Sequence, residues 1–99
     1  MKIVIVDDDP LVCKSLQVLL SRENDMEVVG IAYNGEEAIG VCEKILPDVV
    51  LMDIQMPIMD GIVATRKIKV KWSQIRVMML TTFKDERNIR LSIIAGAEG

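Results

Sequence analysis

The chain has no histidine, two cysteines, three prolines and a single residue each of Trp, Tyr and Phe. Lack of histidine leaves Cys13 and Cys42 without CxxC or Cys/His context, so the soft ligand sets that zinc prefers cannot form. Both lie in helical patterns and read as reduced packing thiols of a cytosolic protein. Trp72 and Tyr33 stand alone at element ends, with no basic, aromatic-interleaved surface on which bases could stack. Excess positive charge is missing too. A net charge of −3 and a pI near 4.9 argue against a nucleic-acid surface on this segment, so any DNA contact must come from residues outside it. Apolar runs are short and broken by charge, Val77 to Leu80 among the longest, and nothing approaches the roughly 20 residues of a membrane span. Met1-Lys2 leads straight into a strand rather than a signal peptide. There is no internal repeat and no low-complexity, Gly/Ser-rich or Pro-rich tract.

What is present is a composition of 51% hydrophobic and 27% charged residues, which is globular, in a length that suits one domain and one core. Ile3-Val4-Ile5-Val6 is a β-branched run of strand length that stops at Asp7-Asp8-Asp9-Pro10. Asp9 and Pro10 form an N-cap and first-turn pair for a helix whose apolar positions are Leu11, Val12, Leu16, Leu19 and Leu20. Glu27 to Tyr33 reads as the second strand. Asn34 caps a second helix, with Glu37 placed to close a capping box and Ala38, Val41, Cys42, Ile45 and Leu46 on its apolar face, until Pro47 ends it. Val49 to Met52 is an unbroken apolar strand, as a sheet covered on both faces requires. After Asp53, a turn through Met56-Pro57 and Asp60-Gly61 opens a third helix. There Ile62, Val63 and Ile68 point inward, and Arg66, Lys67, Lys69 and Lys71 form a solvated face. Arg76 to Leu80 is the fourth strand, Thr81-Thr82-Phe83 follows it, and Ile89, Ile93 and Ile94 mark a fourth helix. A strand-helix unit repeated in this way implies right-handed crossovers and a doubly wound α/β parallel sheet.

In such a sheet the carboxyl ends of the strands share one edge, where ligands bind. Asp7 and Asp8 end the first strand, Asp53 ends the third and Thr81 ends the fourth. Carboxylates about 5 Å apart repel by roughly 3 kcal/mol at an effective dielectric near 20, so this cluster calls for a cation. Hard oxygens alone select Mg²⁺. The methionines at positions 52, 56, 59, 78 and 79 fall on or beside apolar strands and read as packing.

The segments Val6-Asp7-Asp8, Leu51-Met52-Asp53-Ile54-Gln55-Met56-Pro57-Ile58-Met59-Asp60-Gly61 and Leu80-Thr81-Thr82 resemble the receiver domains of two-component response regulators, and the likeness runs along the whole chain. The resemblance implies a flavodoxin-like fold with strand order 2-1-3-4, Asp53 as phosphoacceptor, and Mg²⁺ held by Asp7, Asp8, Asp53 and the backbone carbonyl of Gln55. It also implies Thr81 as the switch hydroxyl, with Thr82 as the alternative, and structural roles for Asp9, Pro10, Pro57 and Gly61. The implied partners are a sensor histidine kinase and, from the likeness of Pro10-Leu11-Val12 and Leu80-Thr81-Thr82-Phe83 to the NarL/LuxR-like subfamily, a helix-turn-helix output domain. Promoter DNA would be touched through that domain only, a homodimer is allowed, and no membrane contact is implied. Such a protein is a cytoplasmic transcription regulator that accepts a phosphoryl group and is not a turnover enzyme. Receivers carry a fifth strand and helix, with an aromatic and a lysine, after the Ala95-Gly96-Ala97-Glu98-Gly99 turn. Residues 1–99 are therefore expected to be a receiver cut before that element, with no output domain and the outer edge of Arg76 to Leu80 open.

Two other readings compete. Asp7-Asp8-Asp9 also satisfies the Asp-x-Asp pattern of haloacid-dehalogenase-like phosphatases, although the later acidic motif and lysine of that family are not found. A receiver-like module that signals by protein contacts without phosphorylation is the other.

Overall fold

The structure is a computed structural model that describes residues 1–80. Seven elements follow one another: β1 (Lys2–Val6), α1 (Pro10–Leu20), β2 (Glu27–Ala32), α2 (Gly35–Ile45), β3 (Val49–Met52), α3 (Gly61–Lys71) and β4 (Arg76–Met79). The strands form one parallel sheet in the order β2-β1-β3-β4. This is the flavodoxin-like order expected from the sequence. Val4 pairs with Val50 and Val50 with Val77, so the three inner apolar runs lie in step. Among the described residues β4 pairs with β3 alone.

Alternation along the strands divides the core into two layers, because successive side chains leave opposite faces of the sheet. Val4, Val6, Val50, Met52 and Val77 pack with Ala38 and Cys42 of α2 and Ala64 and Ile68 of α3. Ile3, Ile5 and Val49 pack on the other face with Cys13, Leu16 and Leu20 of α1. Both faces are covered, which explains why β1 and β3 are apolar at consecutive positions rather than alternate ones.

Helix starts follow their caps. The Asp9 carboxylate accepts from Leu11 N (2.9 Å), Asn34 Oδ1 from Glu37 N (2.9 Å) and Asp60 Oδ1 from Val63 N (2.8 Å). Glu37 closes the box one residue earlier than its simplest form, accepting from Tyr33 N at 3.0 Å. Helix α2 ends on Leu46 in the left-handed region (φ 53), just before Pro47.

Several expectations need correction. Cys13, Leu16 and Leu20 of α1 face the sheet, whereas Leu11, Val12 and Leu19 are exposed. In α3 the buried residues are Gly61, Ala64, Thr65 and Ile68, and Val63 is exposed. Lys69 is not part of a uniformly solvated face: its Nζ donates to the carbonyls of Ser73 (3.0 Å) and Ile75 (2.8 Å) and closes the turn into β4. Strands β2 and β4 each stop one residue short, at Ala32 and Met79. The fourth helix with Ile89, Ile93 and Ile94, and Thr81 and Thr82, lie outside the described residues.

Candidate functional site

Strands β1 and β3 are neighbours and parallel, so the residues that follow them must meet. Asp7 follows Val6, and its amide donates to Ala32 O (3.1 Å); Asp53 follows Met52, and its amide donates to Val6 O (2.9 Å). Sheet-type bonding therefore continues one residue past each strand and fixes both acids against the sheet edge. Asp7 is 7% and Asp53 5% exposed, whereas Asp8 is exposed. One carboxylate oxygen from each of Asp7, Asp8 and Asp53 lies within 4.8 Å of the other two. At that separation a pair of carboxylates repels by roughly 3 kcal/mol at an effective dielectric near 20.

Local bonds fix the side chains. Asp7 Oδ1 accepts from Asp9 N at 2.9 Å, and Asp53 Oδ1 accepts from Ile54 N at 2.9 Å. Burial pushes the Asp7 carboxyl above its ordinary value of 3.8; the Asp9 amide opposes this, and the charges of Asp53, Asp8 and Asp9 add to the rise. The Cys13 thiol, buried beneath, donates to Asp7 O (3.4 Å) and is likewise pushed up, first by burial and then by Asp7. Three carboxylates thus gather in one site at the sheet edge. Its donors are hard oxygens only, a set compatible with Mg²⁺.

The segment from Asp53 to α3 is held from beneath. Gly61 N donates to Ile54 O (2.7 Å), and a Cβ at position 61 would lie 1.9 Å from Asp53 O. Thr65, fully buried, donates its hydroxyl to Gly61 O (2.6 Å). From the other side, Gly35 N donates to Met59 O (2.9 Å), and a Cβ at Gly35 would come within 2.6 Å of that same oxygen. Gly35 and Thr65 were not singled out in the sequence. The start of α2 at Gly35 and the fourth residue after Gly61 on α3 were visible signals, but the clearance was not. Pro57, exposed, accepts from Met59 N (2.7 Å) across Ile58, whose φ is 70°. Gln55 is exposed, two residues past Asp53. Thus the fold brings Asp7, Asp8 and Asp53 together, sets Asp9 and Pro10 at the start of α1 and Gly61 at the start of α3, and leaves Thr81 beyond the described residues.

Relatives can be set beside this geometry. The sequence matches the response regulator receiver domain family over residues 3–99. Transcriptional regulatory protein LnrK of Bacillus subtilis (strain 168) is 40% identical over 98 residues, which are 99% of this chain and 44% of LnrK. This chain thus spans less than half the length of that relative. The crystal structure of a CheX-CheY-BeF3-Mg²⁺ complex from Borrelia burgdorferi superposes with a TM-score of 0.91 at 30% identity, covering 99% of this chain and 74% of that one. A DNA-binding response regulator of the LuxR family from Staphylococcus aureus gives a TM-score of 0.89 at 27% identity, covering 97% and 80%. With the acidic edge, the strand order and the sequence match in agreement, the chain belongs to the response regulator receiver domain family.

Proposed function

We propose that residues 1–99 are the receiver unit of a two-component transcription regulator, that Asp53 takes a phosphoryl group from a sensor histidine kinase, and that the reaction needs Mg²⁺. The observation that carries this reading is the approach of Asp7, Asp8 and Asp53 to within 4.8 Å of one another. Asp7, Asp8, Asp53 and the backbone carbonyl of Gln55 would hold the ion, which supplies charge neutralisation for the phosphoryl oxygens when bound. An Asp53 carboxylate oxygen forms the new P–O bond, the donor's P–N bond breaks, and its electron pair returns to the donor imidazole, which takes up a proton. The Ile54 amide on Oδ1 sets the rotation of the nucleophilic carboxylate. The amides of Gly61 and Gly35, donating to Ile54 O and Met59 O, hold the segment behind it. Burial of Asp53 limits water at the acyl phosphate once formed.

Thr81 follows Leu80, whose amide bonds to Met52 O at 2.9 Å, so its place in the chain suits a hydroxyl that responds to phosphate on Asp53. The output is a helix-turn-helix domain in the rest of the protein, which alone touches promoter DNA. The naming of LnrK as a transcriptional regulator and of the Staphylococcus aureus neighbour as DNA-binding supports that assignment, and the Borrelia complex supports Mg²⁺. The protein works in the cytoplasm and is not a turnover enzyme; no helix of the described residues is long and apolar enough to cross a membrane.

Incubation with a small acyl phosphate and Mg²⁺ tests the proposal by intact mass. One phosphoryl group should be gained by the parent and none by Asp53→Asn. Sustained hydrolysis of phosphate esters would instead support the phosphatase reading, and failure of the parent to gain mass would support a module that signals without phosphorylation.

A further inference from the structure

Charge is unevenly spread along the chain. Residues 1 to 60 carry 12 acidic and four basic side chains, whereas residues 61 to 80 carry Arg66, Lys67, Lys69, Lys71 and Arg76 with no Asp or Glu. A chain of net charge −3 thus presents one wholly basic helix, α3. Two of its cations are engaged within the fold: Lys69 on the carbonyls of Ser73 and Ile75, and Lys71, whose Nζ lies 3.5 Å from Glu43 Oε1 and 4.9 Å from the centre of the Trp72 ring. Arg66 and Lys67 are exposed and have no hydrogen bond or ion pair among the described residues.

An apolar ridge runs between these two cations. At about 100° per residue, Val63 and Val70 lie roughly 20° apart on the side away from buried Ala64, Thr65 and Ile68, with Arg66 and Lys67 roughly 50° to either side. Val63 is 39% and Val70 82% exposed, and neither belongs to a core cluster of the described residues. Valine is a poorer helix former than the lysine or glutamate that suits a purely solvated face, because β-branching restricts its rotamers. Two valines spaced seven residues apart, about 10 Å along the axis, match the repeat by which one helix meets another.

Charge and shape select the occupant. A ridge flanked by cations on both sides fits a helix whose own apolar row is flanked by carboxylates. A membrane surface suits it less, because interfacial helices insert Trp, Phe and Leu, whereas Trp72 at the end of α3 packs against the core. Nucleic acid suits it less still: phosphates gain nothing from the valines, and the acid-rich first 60 residues repel them. The α3 helix of a second copy would set Arg66 and Lys67 against their own kind.

We infer that the outer face of α3 docks an acidic amphipathic helix of a partner protein, its apolar row on Val63 and Val70 and its carboxylates on Arg66 and Lys67. The inference goes beyond phosphoryl transfer to Asp53 and does not depend on it. A helix about 16 Å long buries less than the roughly 1,200–2,000 Å² of a stable interface, so the contact is weak, reversible and sensitive to salt.

A labelled synthetic peptide of about 21 residues, long enough to hold a helix, with Leu at its a and d positions and Glu at e and g, is the probe. It is titrated against the full chain by fluorescence anisotropy, beside a twin in which Lys replaces Glu. The Glu peptide should bind with a Kd on the order of 10 μM at low salt, and the Lys peptide should not bind. Arg66→Glu and Lys67→Glu should each weaken binding roughly fivefold at low salt and less at high salt. Val70→Asn should weaken it by a similar factor at any salt, through lost apolar contact. Lys14→Glu, the same charge change at an exposed position of α1, should have almost no effect. All four variants should melt like the parent. A Glu peptide that fails to bind, a Lys peptide that binds as well, or a Lys14→Glu loss equal to that of Lys67→Glu would overturn the inference. So would an unaffected Val70→Asn, an early-melting variant whose side chain is used within its own chain, or tighter binding to phosphatidylserine vesicles or duplex DNA than to the Glu peptide.

Discussion

A methyl group on Gly61 would sit 1.9 Å from the carbonyl oxygen of Asp53, so the first residue of α3 is fitted directly against the backbone of the acid at the end of β3. The α3 helix and that acid therefore move together. Gly61→Ala must shift the Asp53 peptide or the helix start, and overpacking of this kind costs about 1–3 kcal/mol. Urea unfolding should register that loss, and Mg²⁺ titration should register weaker binding. Gly40→Ala is the control: it lies exposed within α2, a Cβ there meets nothing within 4 Å, and the change should stabilise by roughly 0.5–1 kcal/mol.

Asp7 stands buried beside Asp53, and its carboxyl is pushed up, chiefly by burial. A folded-state value above the unfolded one means that the folded form holds its proton longer. The contribution of Asp7 to stability without metal is then fully present below 3.8, the ordinary value, and is lost as pH rises from there through the folded-state value. Asp7→Asn should remove this loss and melt higher than the parent at neutral pH in chelator. Added Mg²⁺ should raise the parent's melting temperature and leave Asp7→Asn nearly unchanged. A variant that melts lower in chelator would contradict the repulsion account.

The two thiols offer a test of the layers. Burial pushes Cys42 up to about 11, and Cys13 is raised by burial and by Asp7. Neither should be alkylated by iodoacetamide at pH 8 in the folded protein, and both should react in denaturant, as read by mass. Alkylation of the native protein at the denatured rate would mean that α1 or α2 does not pack as described.

Ile58 is β-branched, 77% exposed and held at φ 70° in a tight three-residue turn closed by Met59 N and Pro57 O. Such a backbone costs about 1–3 kcal/mol in a residue with a Cβ, against roughly 0.5–1 kcal/mol of extra chain entropy for glycine. Ile58→Gly should therefore gain about 1 kcal/mol in urea unfolding without loss of Mg²⁺ binding. A loss of stability would place unrecognised packing on the Ile58 side chain.

Much of this was legible in the chain. Ile3 to Val6 and Val49 to Met52 are apolar at every position, which only a sheet covered on both faces explains, and Asp9, Asn34 and Asp60 announce the helix starts. Once the strands are parallel, the meeting of Asp7, Asp8 and Asp53 follows from connectivity. The inward side of α1 did not follow, because Leu11, Val12, Leu16, Leu19 and Leu20 spread over about half of the helix circumference and periodicity cannot choose which side of that arc packs inward. Cys13, a modest hydrophobe, takes the central buried place. The tether of Lys69 to Ser73 and Ile75 depends on a turn whose geometry no spacing rule encodes. The clearances at Gly35 and Gly61 are set by backbone approach between elements distant in sequence, for which a glycine is the only trace.

Borohydride trapping addresses the central claim most directly, since it reduces an aspartyl phosphate to homoserine and so marks the acceptor by mass. The protein is treated with a phosphodonor, trapped, digested and mapped, with and without chelator. The account expects homoserine at position 53 alone, dependent on Mg²⁺. Homoserine at position 7 or 8, or a product at position 53 that is indifferent to chelator, would contradict it.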